Sequence, residues 1–248
     1  MFLPFSFFYY TIISFVMTLF NQKLLKLYQE ENIFENSICL SCRKTRDFQN
    51  DDYYPLGFWH IGKFYSHERI KILFAGKPHR GTPYDKIIRG KNFTVAKAEN
   101  VAKNLFFNVS WPYWSYTKEI LKKIFHTDEK GAWERLAFMN VIKCTVPQNS
   151  SKDNTPGFLK NFCLREFGIF WKELKLLKPT HTILYLGKLY DAYITNETIE
   201  TFLKSNKIEE ITSENYYIHI GKKKCWWWYR IIYLSTREKI HFLRICHP

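Results

Sequence analysis

Four cysteines fall into a ligand-like arrangement. Cys39 and Cys42 form a C-x2-C pair, and Cys144 and Cys163 follow far downstream as C-x18-C. Four thiolates hold either a [4Fe–4S] cluster or a structural zinc. Zinc sites favour a second close pair. The wide second spacing therefore suits a cluster gripped by one tight turn and two separate segments, with zinc as the alternative. Cys225 and Cys246 lie outside the pattern and read as small buried hydrophobes. Other chemistry-bearing residues are scattered. The loop Lys77–Asp85 (KPHRGTPYD) carries His79, Arg80 and Asp85, Asn140 interrupts an apolar run, and His247 precedes the final proline.

These residues need a scaffold, and the apolar pattern supplies one. Lys71–Gly76 (KILFAG), Leu136–Ile142, Thr182–Leu186, Trp226–Leu234 and Ile240–Ile245 read as strands, being too short for buried helices. Helical spacing marks Thr18–Asn32, Thr94–Phe106, Thr117–Phe125, a long helix within Pro156–Leu177, Leu189–Tyr193 and Thr198–Ser205. Residues 33–70 read as irregular. Strands alternating with helices predict an α/β fold with a mainly parallel sheet and helices on both faces. In such sheets ligands bind where the carboxyl ends of the strands meet the following loops. That rule selects the loop after Gly76, the strand end at Asn140 and the His247-Pro248 end.

The chain has 248 residues, 46% of them hydrophobic and 24% charged, which excludes a disordered chain, a coiled coil and a collagen-like fibre. Lys and Arg number 37 against 23 Asp and Glu, a net charge of +14. A globular protein this basic attracts polyanions, nucleic acid first and a membrane surface second. Aromatics make up 19% and can serve both core and base-stacking surfaces; an AT-rich genome would produce the same bias. Residues 1–16 form an uncharged hydrophobic leader. With residues 17–20 they approach the roughly 20 apolar residues that span a bilayer. Met17 opens an amphipathic helix, so the leader reads as a start codon placed too early, with a signal anchor as the alternative. The folded unit is expected over 17–248, monomeric and cytoplasmic.

Three segments together resemble a known family: ILFAGKPHRGTPYD; FMNVIKC with Cys163 and LKPTHTILYLGKLYDAY; and ICHP. They are similar to the iron–sulfur branch of the uracil-DNA glycosylase superfamily, families 4 and 5. That branch has a Gly-x-x-Pro-type loop, an Asn-Val-Val-Lys-Cys strand end, a Pro-x-x-Ile-x-x-Leu-Gly strand and a closing His-Pro. Its cluster cysteines have the same order. The resemblance covers roughly residues 20–248 and is most specific from Asn140 to Cys163. It implies a three-layer α/β/α sandwich, a [4Fe–4S] cluster on Cys39, Cys42, Cys144 and Cys163, and excision of uracil or a related deaminated base from DNA.

The resemblance also implies roles. Asn140 hydrogen-bonds the base, since a carboxamide offers both a donor and an acceptor. Tyr113, in WPYWSYTKEIL, stacks on it, with Trp111 and Trp114 as alternatives, and the amides near Gly76 assist. His247 stabilises the departing uracil anion. The family places an acidic residue directly after the loop's first glycine, where this chain has Lys77. Asp85 is then the choice for positioning water, with His79 as the alternative. Arg80, Lys222 and Lys223 are expected to hold phosphates, together with Lys224, Lys122 and Lys123. The family chain continues past His-Pro into a wedge loop, whereas this sequence ends at Pro248, so either another loop supplies the wedge or the chain is truncated. A catalytically impaired nucleic-acid-binding protein and a membrane-anchored basic protein are the competing readings.

Overall fold

The computed structural model describes residues 20, 22–31, 59–78, 95–143, 155–204 and 207–245. Along the chain these form α1 (residues 22–30), β1 (Trp59–Ile61), β2 (Ile72–Gly76), α2 (Val95–Asn108), α3 (Pro112–Phe125), α4 (Glu129–Trp133) and β3 (Ala137–Asn140). Then follow α5 (Gly157–Asn161), a π-helical segment (Phe162–Glu166), α6 (Ile169–Leu177), β4 (His181–Tyr185), a 3-10 turn (Lys188–Tyr193), α7 (Asn196–Leu203), β5 (Ile208–Ile220), β6 (Lys223–Leu234) and β7 (Lys239–Ile245).

The seven strands form one mixed sheet in the order β1-β3-β2-β4-β7-β6-β5. β3, β2, β4 and β7 are parallel neighbours, as the α/β alternation predicts. β1, β6 and β5 are antiparallel additions at the two sides, so the expectation of a mainly parallel sheet is corrected to a mixed one. The cause is local. β5 and β6 are joined by the two-residue turn Gly221-Lys222, with Gly221 at φ 59°, and β6 and β7 by a short turn at Ser235–Glu238. Connections that short can only return the chain antiparallel.

Alternation along the strands builds a hydrophobic cluster on each face. Leu73, Ala75, Ala137, Met139 and Leu184 join Leu24, Tyr28, Trp171 and Leu203 on one side. Ile72, Phe74, Phe138, Ile183 and Tyr185 join Ala102, Phe106, Trp114 and Leu121 on the other. Pro112 opens α3 after an extended Trp111, Asp128 caps α4 by accepting from the Gly131 amide at 2.7 Å, and Thr195 caps α7.

The long helix expected within Pro156–Leu177 is three pieces. The Phe167 amide reaches back to the Phe162 carbonyl at 2.7 Å, one residue further than an α-helix allows, and Gly168 then sits at φ 62°. A Cβ at Gly168 would stand 1.9 Å from Cε1 of Phe202, so only glycine fits this break. β1, α4 and β5 are further elements that the apolar pattern did not mark.

Candidate functional site

The parallel register brings Gly76 directly beside Asn140 on one side and Tyr185 on the other. All three close their strands at the carboxyl edge. Side chains alternate along a strand, so these three share the face that Phe74, Phe138 and Ile183 present to α3. Tyr113, in the first turn of α3, closes the group. Its ring centroid lies 4.4 Å from Tyr185 and 5.8 Å from Phe138. A Cβ on Gly76 would touch both Asn140 Oδ1 and the Tyr113 hydroxyl at 3.4 Å. The absent side chain thus leaves a small cradle with a carboxamide on one wall and a phenol on the other.

Asn140 is 4% exposed. Thr117 Oγ1 ties the aromatic wall together, 2.9 Å from the Tyr113 carbonyl oxygen and 3.1 Å from the Tyr185 hydroxyl. Burial, reinforced by Tyr185, pushes Tyr113 well above the usual phenol range, and burial pushes Tyr185 up to about 12. Both phenols are neutral at physiological pH. They supply flat rings and hydroxyl dipoles and add no negative charge to the site.

Behind the cradle is a buried charged network. Lys143 Nζ donates to the Asn140 carbonyl at 2.6 Å and pairs with Glu173 Oε1 at 2.6 Å. The Tyr28 hydroxyl of α1 donates to the same carboxylate oxygen. Burial raises the Glu173 pKa, with Lys143 and Tyr28 opposing. The network ties α1, the turn after β3 and α6 together at the base of the Asn140 strand end.

The other flank of the edge carries a part-buried ion pair and a lysine. β7 ends beside β4, with Ile245 paired to Tyr185. Arg244 is buried and forms a two-pronged pair with Asp191 of the 3-10 turn, Nε to Oδ1 at 2.8 Å and Nη2 to Oδ2, while Trp228 Nε1 donates to Oδ1 at 2.9 Å. Lys77 reaches across β4, its Nζ 3.7 Å from where a Gly187 Cβ would stand.

Gly76, Asn140 and Tyr113 were singled out from the sequence, and they meet. Cys163 is buried on the π-helical segment. Lys222 is exposed at the β5–β6 turn and Lys223 begins β6. Lys122 is paired with Glu119 at 2.8 Å on α3. Cys39, Cys42, His79, Arg80, Asp85, Cys144 and His247 lie outside the described residues. Among the described residues no three His, Cys, Asp or Glu side chains converge as a metal site. A separate cavity of about 550 Å³, lined by His60, Lys103, Phe107 and Trp133 among others, lies away from the cradle. Sequence reasoning missed Tyr185, Lys143, Glu173, Asp191 and Arg244. The signals were Glu173, one of three charged residues in an otherwise apolar helix (FWKELKLL), and Arg244 inside an apolar strand (HFLRI).

No family model matches the chain, and no curated protein or solved structure matches it.

Proposed function

We propose that the chain is a DNA glycosylase of the iron–sulfur branch of the uracil-DNA glycosylase superfamily, hydrolysing the N-glycosidic bond of uracil or a related deaminated base. The observation that carries this reading is the meeting of Gly76, Asn140 and Tyr113, three residues distant in sequence, at the carboxyl edge of the parallel strands. The two hydrophobic clusters on opposite faces support the three-layer α/β/α arrangement that goes with it.

The target nucleotide leaves the duplex, at a cost of a few kcal/mol that is smallest for a mismatched base. The Asn140 carboxamide donates to O4 and accepts from N3–H of uracil, a pattern that cytosine reverses. The Tyr113 ring, mostly buried but with part of its surface exposed, offers a stacking surface. Bond cleavage builds negative charge on uracil and positive charge on the sugar. His247, two residues beyond the end of β7, is assigned as donor to uracil O2, and Asp85, or His79 in its place, positions the water.

Cys39, Cys42, Cys144 and Cys163 would hold the [4Fe–4S] cluster. Of the four, Cys163 alone lies among the described residues; the reading is supported by Tyr28, Glu173 and Lys143, which join α1, the helix beyond the Cys163 segment and the residue just before Cys144. The cluster's contribution is structural, since glycosidic hydrolysis needs no electron transfer. Protein purified without oxygen should absorb broadly near ~400 nm, where thiolate-to-iron charge transfer falls; one bound zinc and no colour would favour the alternative metal.

A second reading, a nucleic-acid-binding protein without catalysis, is favoured by Lys77, which holds a cation beside Gly187 where the family pattern has an acid. Single-turnover cleavage of uracil-containing single- and double-stranded oligonucleotides separates the two. His247→Ala should lower the excision rate about 10²–10³-fold, more than it lowers DNA affinity. Wild-type protein that binds but leaves uracil intact would establish the second reading. The membrane-anchored alternative rests on residues 1–16, which lie outside the described residues; among those described, no helix is long and apolar enough to cross a membrane.

A further inference from the structure

The β5–β6 hairpin is longer than the sheet it belongs to. β5 pairs β6 from Ile208 with Leu234 out to Ile220 with Lys223, whereas β6 pairs β7 only from Tyr233 with Lys239 to Trp228 with Arg244. Residues 216–227 are therefore a two-stranded arm running past the end of β7. β7 is parallel to β4 and ends beside Tyr185, so the arm leaves the sheet at the carboxyl edge, the edge that carries Gly76 and Asn140.

One face of this arm has a regular composition. Directly opposed residues of an antiparallel pair point to the same side, which places Tyr217 with Trp226 and His219 with Lys224. Lys224 Nζ lies 3.7 Å from the Tyr217 ring centroid and 4.3 Å from that of Trp226. Towards the sheet, the guanidinium of Arg230 lies 4.1 Å from the Trp228 ring. Lys188, the residue after Gly187, lies 5.9 Å from the Trp226 ring. Cations and aromatic rings thus alternate along the face that Trp228 and Arg244 share with Leu184, opposite to the face that carries Asn140 and Tyr185 but at the same edge of the sheet. Tyr217 is 51% exposed and Trp226 37%.

A two-stranded ribbon gains little stability by itself, so large exposed rings on one suggest a binding role. Between Asn215 and Lys224 this face has no carboxylate; Glu214 lies on the opposite face, where it accepts from Tyr216. The tip reads Gly221-Lys222-Lys223-Lys224, which a bilayer's hydrocarbon would reject and a phosphate backbone would attract. Alternating stacking surfaces and cations match the alternating bases and phosphates of an unpaired strand.

We propose that this face of the β5–β6 arm binds single-stranded nucleic acid, stacking bases on Tyr217 and Trp226 and holding phosphates with Lys224 and Lys188, at the carboxyl edge of the sheet. The proposal extends the glycosylase reading of the cradle, but its test is kept separate by using uracil-free DNA. Fluorescence anisotropy of a labelled oligothymidine, against a duplex of equal length, should show the single strand bound at least tenfold more tightly. Tyr217→Ala and Trp226→Ala should each lose about tenfold in single-strand affinity, whereas Tyr217→Phe, which keeps the ring, should not. Lys224→Ala should flatten the slope of log affinity against log salt by about 0.7. Tyr216→Ala, on the opposite face, should bind as the wild type does. Equal binding of single strand and duplex, wild-type affinity in both ring variants, or a Tyr217→Phe loss as large as that of Tyr217→Ala would overturn the proposal. So would phosphatidylserine vesicles that bind the wild type, fail to bind Trp226→Ala and compete with the strand. Absence of uracil excision with this binding intact would overturn the glycosylase reading alone.

Discussion

Lys143 and Glu173 form an ion pair sealed inside the protein, their side chains 3% and 0% exposed and Nζ 2.6 Å from Oε1, while the same ammonium donates to the carbonyl of Asn140. The pair fixes the strand end that carries the amide of the cradle. Its partner helix, α6, follows the Cys163 segment, so one buried contact couples the Asn140 strand end to a cysteine-bearing segment.

Removing one member of such a pair leaves a buried charge without compensation. Lys143→Met should cost about 3–5 kcal/mol at neutral pH, measured by urea unfolding. The loss should shrink in acid. Burial already raises the Glu173 pKa, and without the cation nothing charged opposes it. A carboxyl raised in the folded state contributes stability that is complete below its unfolded pKa, about 4.3, and is lost as pH rises through the folded value. Lys143→Met should therefore regain stability as pH falls towards that value. Lys143→Met combined with Glu173→Gln should show no such recovery. Equal pH profiles for the two would show that Glu173 does not carry the effect.

Gly168 gives a second stability test. Any side chain there must adopt φ 62° and displace the Phe202 ring. The two costs are each about 1–3 kcal/mol, so Gly168→Ala should lower the midpoint of thermal unfolding clearly. Adding Phe202→Leu should return the packing part and leave the backbone part. An unchanged midpoint in Gly168→Ala would mean that the break between the π-helical segment and α6 is placed wrongly.

The same glycine shows where the sequence was legible and where it was not. The four parallel strands were readable because each is a short apolar run, and their common edge followed from the βαβ alternation. The break at Gly168 was hidden because apolar residues flank it on both sides. β5 was hidden because it is an edge strand, with the polar sequence IEEITSENYYIHI and a partner on one side only. The cradle was legible in Gly76, Asn140 and Tyr113. Tyr185, Lys143 and Glu173 complete it through strand register and helix packing; the sequence shows Glu173 only as one of three charged residues in FWKELKLL and does not show which of them is buried.

At the opposite edge of the sheet, His181 of β4 and His241 of β7 face each other across the parallel register, their rings stacked nearly parallel with centroids 4.6 Å apart. Burial lowers both pKa values; the neighbouring His241 adds to the effect on His181, and Lys239 to that on His241. A histidine lowered in the folded state contributes stability that is present above its unfolded pKa, about 6.5, and is lost as pH falls through the folded value. Unfolding midpoints should therefore drop below about pH 6.5, and less steeply in His181→Asn and His241→Asn. A wild-type acid slope in both variants would assign the pH dependence elsewhere.

The last prediction returns to Asn140, whose side-chain oxygen lies at ordinary contact distance from the space above Gly76. Asn140→Asp keeps the shape and removes the donor. A carboxylate here would be buried, in a cluster whose phenols are held neutral by burial, and on the proposed mechanism would face a developing uracil anion. On the proposed mechanism, excision at neutral pH should fall about 10²-fold, the size of a hydrogen bond lost to a charged group. Burial must also raise the pKa of the new carboxyl. The protonated acid has both an O–H donor and a carbonyl acceptor, the complement that uracil requires. The variant's single-turnover rate, relative to wild type, should accordingly rise as pH falls, while Asn140→Ala, with no group to titrate, should stay uniformly slow. Melting curves across the same range separate a loss of chemistry from a loss of fold. If Asn140→Asp excises uracil at the wild-type rate at neutral pH, the amide does not read the base, and the cradle over Gly76 is packing between α3 and the sheet.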